Sequence, residues 1–404
     1  MPDSDVIVFG AGPAASAAAL QAARSGLSVI MLDQSGFPGT HLPESWSGRS
    51  AALLTWLGVT GLGSALHGST RVELVDSCSG FGLRLTLYSL KGPTAPASVR
   101  LDRNAFDQLM LDAAVTAGAE YRPGVSVESV TGVAGETTVT CTSASGVSTL
   151  TGRFAIDGSG KSAVIAHTQG TWEGGQSLDP RQAVFSHFVL DGPHRLVDPK
   201  GMTLIALDGG YAFVIPVGEQ RVSVGVVAGA ERSAPYGREL ERLFHESVAQ
   251  DPALAQMLAG ARQVLPFIPA LNQEFLCSRT AGDWFAVAGD AAGFLDPFFS
   301  TGVDLALATG VHAAETAHRV LSATSAGARE EAAGAHRRFV ESQQETARSG
   351  SYDGHWNVLA PLRPVLADPH LPALVPLLSL LSRPQECGRP QDAVRSLRNS
   401  FQHL

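Results

Sequence analysis

The segment that most constrains this chain is its N-terminus. Val6-Ile7-Val8-Phe9 is a short apolar run of the kind that fills a buried parallel strand. Gly10-Ala11-Gly12-Pro13-Ala14-Ala15 follows, then an Ala-rich helical stretch to Arg24, then Gly26 and a second strand from Ser28 to Leu32 that ends at Asp33. The glycine run has G-x-G-x-x-G spacing with Ala15 in the third glycine position. Gly10 permits a tight turn, and Gly12 leaves no β-carbon between the backbone and a phosphate. The third position asks only for close helix–strand packing, which Ala15 allows. The helix start offers N–H groups and the positive end of the helix dipole to a pyrophosphate. Asp33, with Gln34 beside it, falls where an acid accepts hydrogen bonds from ribose hydroxyls. Strand, glycine turn, helix and strand together predict a Rossmann-like α/β domain that binds a dinucleotide.

The remaining composition narrows the class. A chain of 404 residues can bury a large core and is expected to hold two packed domains. With 44% hydrophobic and 17% charged residues it reads as globular, not disordered. A net charge of −9 argues against nucleic acid as a partner. Cys78, Cys141, Cys277 and Cys387 are far apart and form no C-x-x-C pair, which speaks for a reducing compartment and against a disulfide framework or dithiol centre. No His pair has ligand spacing, so no metal is expected. With no basic leader and no long apolar run, the expectation is a cytoplasmic protein without an integral membrane segment. No second G-x-G-x-x-G follows a strand in mid-chain, so a separate NAD(P)H domain is not expected.

Two later segments define the dinucleotide. Phe154-Ala155-Ile156-Asp157-Gly158-Ser159-Gly160 is a buried strand ending in an acid–glycine turn. Trp284 to Ala288 is another, followed by Gly289-Asp290-Ala291-Ala292-Gly293-Phe294-Leu295-Asp296-Pro297-Phe298-Phe299-Ser300-Thr301-Gly302-Val303. Here the sequence resembles the flavoprotein monooxygenase superfamily of the p-hydroxybenzoate hydroxylase type, over about residues 5 to 345. Within it, Pro43-Glu44-Ser45 and the run Gly293 to Gly302 resemble the flavin-dependent halogenase and geranylgeranyl-reductase-like branch. The resemblance implies FAD as cofactor. It places Asp290, beside Gly289, at the ribityl chain or its neighbouring hydroxyls, with Asp157 also in the cofactor set. Gly302-Val303 would open a helix whose amides face the flavin pyrimidine ring, where a helix N-terminus suits the negative charge of reduced flavin, and Pro297, Ser300 and Thr301 join the cofactor residues. Arg103, in the helix start Val99-Arg100-Leu101-Asp102-Arg103, would lie near the cofactor phosphates, with Arg49 a second candidate. Ser45 joins the cofactor residues. Glu44 is the candidate catalytic polar group and His41 the next, although each also reads as a turn residue that bonds backbone.

The activity implied first is hydroxylation of an electron-rich aromatic, indole or phenol in type, through a flavin C4a-hydroperoxide. The reading extends to a tryptophan within a protein during quinone-cofactor maturation. Halogenation is the alternative. Halogenases of the branch use one lysine some tens of residues beyond the G-E-S turn; this chain has Thr70, Arg71 and Glu73 near that place and no lysine until Lys91. Arginine stays protonated and is a poor replacement. Gly210-Tyr211-Ala212-Phe213-Val214-Ile215-Pro216 resembles the halogenase W-x-W-x-I-P segment with both tryptophans replaced. A further alternative is reduction of isoprenoid double bonds. Candidate substrate residues are Tyr211, Phe213, Phe298 and Trp356. The partners implied are a small, carrier-bound or protein-bound aromatic, O2, and an external reductant or flavin reductase.

The expected organisation is a discontinuous Rossmann-like FAD-binding domain over 1–180 and 275–345, including part of a sheet near 65–100. An inserted mixed β-sheet substrate domain covers 181–274, and a helical C-terminal region covers 346–404. Alternating or β-branched segments near 70–90, 184–190, 202–215 and 221–229 predict strands of a mixed or antiparallel sheet. Val303 to Val320 and Glu330 to Arg348 predict long helices.

Overall fold

The structure, a computed structural model, describes residues 2–36, 44–46, 50–69, 71–76, 81–86, 99–174, 181–198, 201–217, 220–272, 275–294 and 302–351. The chain divides into two compact units: 1–70, 96–181 and 271–344 form one, and 71–95, 182–270 and 345–404 the other.

The first unit is built on a seven-stranded sheet. Its order is Glu120–Pro123, Val29–Asp33, Ser4–Phe9, Gly146–Asp157, Glu136–Ser143, Ser126–Val133, with Phe285–Val287 also on Gly146–Asp157. The strands that begin and end the glycine turn run parallel to one another and to Gly146–Asp157. Alternate residues of the central strand serve two separate cores. Val6 and Val8 pack with Phe154, Ile156 and the helices Pro13–Arg24, Arg103–Thr116 and Gly302–Ser322. Ile7 and Phe9 pack with Ala155, Phe285 and Val287 on the opposite face. A parallel strand covered on both sides has to be apolar at every position, which is why the run from Val6 to Phe9 is unbroken. The helix Pro13–Arg24 is rich in alanine because it lies against Gly302–Ser322 at very short range: a β-carbon on Gly310 would stand 2.3 Å from Ala14 O.

The second unit holds an eight-stranded sheet in the order Arg262–Gln263, Arg181–Val189, Arg221–Gly229, Gly210–Pro216, Gly201–Leu207, Arg71–Asp76, Phe81–Thr86, with Ile268–Asn272 also on Arg181–Val189. Val184, Phe188, Ile205, Ala212, Val214, Val222, Val224 and Val226 pack under the helices Leu240–Val248 and Pro252–Ala259. The segment near 202–215 becomes two strands hinged at Asp208-Gly209, where Gly209 takes φ +67°. Residues 71–95 cluster with this unit, whereas the sequence reading set 65–100 in the first. The cause is main-chain pairing: Arg71–Asp76 runs parallel to Gly201–Leu207, and a local pattern does not reveal a partner that distant in sequence. The two long helices are present as Gly302–Ser322 and Ala326–Ser351. Residues 352–404, most of the expected C-terminal region, lie outside the described residues. Among the described residues no helix is long and apolar enough to cross a membrane.

Candidate cofactor site

Three glycine turns converge in the first unit. Gly10 N–H donates to Leu32 O at 2.7 Å, with φ +95° that a side chain resists. A β-carbon there would also stand 2.6 Å from Gly158 O. Gly158 N–H donates to Phe9 O at 3.0 Å, and its own β-carbon would stand 2.8 Å from Ala15 N. Gly289 N–H donates to Thr309 Oγ1 at 2.9 Å, and a β-carbon on it would stand 2.8 Å from that of Ala14. Ala14 and Ala15 are thus enclosed by the other two turns, so both must be small.

Gly12 is different. It forms the N-cap of Pro13–Arg24; among the described residues no side chain caps that helix start, and a β-carbon on Gly12 would meet nothing within 4 Å. Open space beside an uncapped helix N-terminus is a cradle that fits a phosphate. Pro13 at the first helical position loses no hydrogen bond there. At the end of the next strand, Asp33 Oδ1 accepts from Ser35 N and Ser35 Oγ, both at 2.9 Å, which orients its carboxylate; Gln34 is exposed beside it. Gly302 opens the helix Gly302–Ser322, and among the described residues nothing lies within 4 Å of where its β-carbon would be, while the Val303 side chain is buried in the core. Asp290 is half-buried in the turn Gly289–Ala291. The residues present fit FAD: a glycine cradle at a helix start, an oriented acid at the second strand end, and a second helix start beyond Asp290. When bound, FAD supplies two-electron redox chemistry and, once reduced, reaction with O2.

Asp157 ends the strand Gly146–Asp157. It is fully buried, with Oδ1 accepting from Ser159 N at 3.0 Å and Oδ2 from Ile165 N at 2.6 Å. Burial pushes its carboxyl above the usual range. Both oxygens accept from backbone N–H groups, so Asp157 braces the Gly158 turn. Arg103 Nε and Nη2 bind the buried Asp107, one turn on in the same helix Arg103–Thr116, at 3.0 and 2.8 Å. Asp102 caps that helix, accepting from Ala105 N. Glu44 and Ser45 lie in the strand Glu44–Trp46, paired with Val99–Leu101. Tyr211 and Phe213 are half-buried on one face of the second unit's sheet. His41, Arg49, Lys91, Pro297, Phe298, Ser300, Thr301 and Trp356 lie outside the described residues.

Sequence reasoning missed three supports. Ser50 N and Oγ both donate to Asp304 Oδ1, at 2.9 and 2.5 Å, joining the start of Ala51–Trp56 to the first turn of Gly302–Ser322 across 254 positions. Nothing local signals that bond. Thr309 and Gly310 leave a trace, a polar residue and a glycine inside an otherwise Ala-rich helix. The third is a histidine pair. His336 is buried and its Nε2–H donates to Val287 O at 3.0 Å, so its Nδ1 accepts from His312 Nδ1–H, also at 3.0 Å. The pair holds the strand that leads into Gly289. Burial lowers the His336 pKa to about 4 from 6.5. Between those values the unfolded chain binds more protons, so stability rises with pH there and is lost as pH falls from 6.5 toward 4, by about 3 kcal/mol. Melting temperatures across that window should fall steeply for the native protein. His336→Gln should be weaker at neutral pH but lose less on acidification; parallel curves would refute this.

The fold and the cradle define a dinucleotide-binding flavoprotein of the Rossmann type. The chain belongs to the FAD dependent oxidoreductase family, whose model matches residues 5–215. It is an enzyme of oxidoreductase class, and FAD is its cofactor. It is 27% identical over 341 residues to a flavin-dependent halogenase of Armillaria mellea, covering 78% of this chain and 67% of the relative. It is 24% identical over 345 residues to a 1H-pyrrole-2-carbonyl-[peptidyl-carrier protein] chlorinase of Pseudomonas fluorescens, covering 76% and 73%. It is 28% identical over 331 residues to a menaquinone reductase of Mycolicibacterium smegmatis, covering 77% and 76%. For two further halogenases the chain spans 61% and 64% of their length. The structure of a flavin-dependent brominase superposes with TM-score 0.76 at 20% identity over 99% of this chain and 100% of that one, a likeness of fold alone. The chain is therefore halogenase-like, with reductases also among its relatives. Among the described residues no group of three or more His, Cys, Asp or Glu is placed to hold a metal ion.

Proposed function

We propose that this protein is a flavin-dependent halogenase acting on an electron-rich aromatic substrate, free or tethered to a carrier protein. The observation that carries the reading is the similarity, over more than three quarters of the chain, to a flavin-dependent halogenase. The chlorinase whose substrate is a carrier-bound pyrrole supports the tethered form. This reverses the order taken from the sequence, where the replaced tryptophans at Tyr211 and Phe213 and the missing lysine put hydroxylation first. With no second glycine motif in the sequence, reducing equivalents would come from an external flavin reductase. A second reading, reduction of a double bond, is favoured by one observation: the chain spans 76% of the menaquinone reductase but 67% of the halogenase of Armillaria mellea.

Turnover with a flavin reductase, O2 and bromide or chloride, read by product mass spectrometry, separates these readings. A halide isotope pattern in the product is expected, and Lys91→Ala should lower its yield about a hundredfold if Lys91 is the required amine. A hydroxylated product carrying label from isotopic O2 would restore the monooxygenase reading. Anaerobic saturation of an isoprenoid would support the reductase.

A further inference from the structure

One face of the second unit's sheet carries two buried polar atoms without partners. The strands Arg181–Val189 and Arg221–Gly229 are neighbours. Leu190 N donates to Gln220 O at one end, and a β-carbon on Gly225 would stand 2.9 Å from that of Phe185. Two residues from that contact in each strand, the same count brings His187 opposite Ser223, on the face shared by Phe185 and Phe213. Ser223 is fully buried, and among the described residues its Oγ has no hydrogen-bond partner; neither has His187 Nε2. Burial, with Arg221 nearby, lowers the His187 pKa. Around the pair stand the Phe185 ring, 6.2 Å from the imidazole, and Ile215, in register with Ser223. Gly225 leaves the room that the Phe213 ring occupies: a β-carbon there would lie 2.2 Å from Phe213 Cζ.

An orphaned buried hydroxyl and imidazole nitrogen each cost stability unless a ligand satisfies them. We propose that His187 and Ser223 are the polar anchor for the aromatic substrate, and that this substrate is a phenol. A phenolic O–H can donate to His187 Nε2 while its oxygen accepts from the Ser223 hydroxyl, so one group satisfies both atoms. An indole or pyrrole N–H has only a proton to give and satisfies one. The flanking Phe185 and Phe213 rings supply the apolar walls that an aromatic ligand needs. The inference rests on the aromatic-substrate reading above and selects within it.

The test compares phenol, anisole and indole binding to the FAD-loaded protein by ligand-observed NMR. The native protein should hold phenol about tenfold tighter than anisole or indole, the worth of one to two hydrogen bonds. Ser223→Ala and His187→Leu should each erase most of that preference while FAD content is kept. Ser223→Ala should not lower the melting temperature, since it removes an unsatisfied group. Equal binding of phenol and anisole, or a preference that survives both substitutions, overturns the anchor. Halide-free products from a protein that keeps the preference overturn the halogenase reading and leave the anchor standing.

Discussion

Gly12→Val should give a protein that folds as the native one does but purifies colourless and takes up no added FAD. Gly12 has φ −68° and ψ −178°, an extended conformation valine adopts, and its β-carbon would meet nothing within 4 Å. The apo-fold therefore loses nothing, and the new methyls enter the space where the pyrophosphate would lie against the helix start. Losing even one charge-assisted amide contact costs about 1.5–3 kcal/mol, and a steric block adds to it, so affinity should fall at least a hundredfold or so. Gly10→Ala makes the contrast. There φ is +95° and the β-carbon would lie 2.6 Å from Gly158 O, so the fold itself should weaken by about 2 kcal/mol or more. Flavin absorbance and melting curves with and without added FAD separate the two variants. A yellow Gly12→Val protein with native affinity would show that the cradle is not the phosphate site.

Gly310→Val should cost the fold more than Gly10→Ala does. Its β-carbon would stand 2.3 Å from Ala14 O, a backbone atom that cannot swing aside. The helices Pro13–Arg24 and Gly302–Ser322 would have to separate, opening the alanine interface, with a loss of about 3 kcal/mol or more. Because Ala14 lies at the start of the glycine-turn helix, and Thr309 holds Gly289 N, cofactor retention should fall in parallel. Gly327→Ala in the helix Ala326–Ser351 is the control: nothing lies within 4 Å, and the change should be neutral or stabilising by a few tenths of a kcal/mol. A Gly310→Val variant that melts with the native protein would mean the two helices tolerate a wider spacing.

The cofactor domain was legible because its determinants are local. The unbroken run from Val6 to Phe9, the glycine spacing and Asp33 lie within one βαβ unit, and the structure realises them in register, Val6 to Phe9 pairing with Val29 to Leu32. The two long helices were readable for the same reason. Asp157 has a bracing role that the sequence does not show. An acid at a strand end looks the same in sequence whether its oxygens point outward or, as here, accept from Ser159 and Ile165 inside the protein. Arg103 shows a related limit, since the sequence carries a cation near a helix start but not the buried Asp107 that claims it.

What the chain's order of residues determined alone is the nucleotide-binding turn, because a tight turn and a helix start depend on neighbours a few positions apart. Tertiary structure alone decided which glycines are packing necessities and which guard open space. It alone joined Ser50 to Asp304, and it alone set His187 across from Ser223. Those relations depend on contacts between segments far apart in the chain, and a local pattern carries no record of the distance at which two backbones finally come to rest.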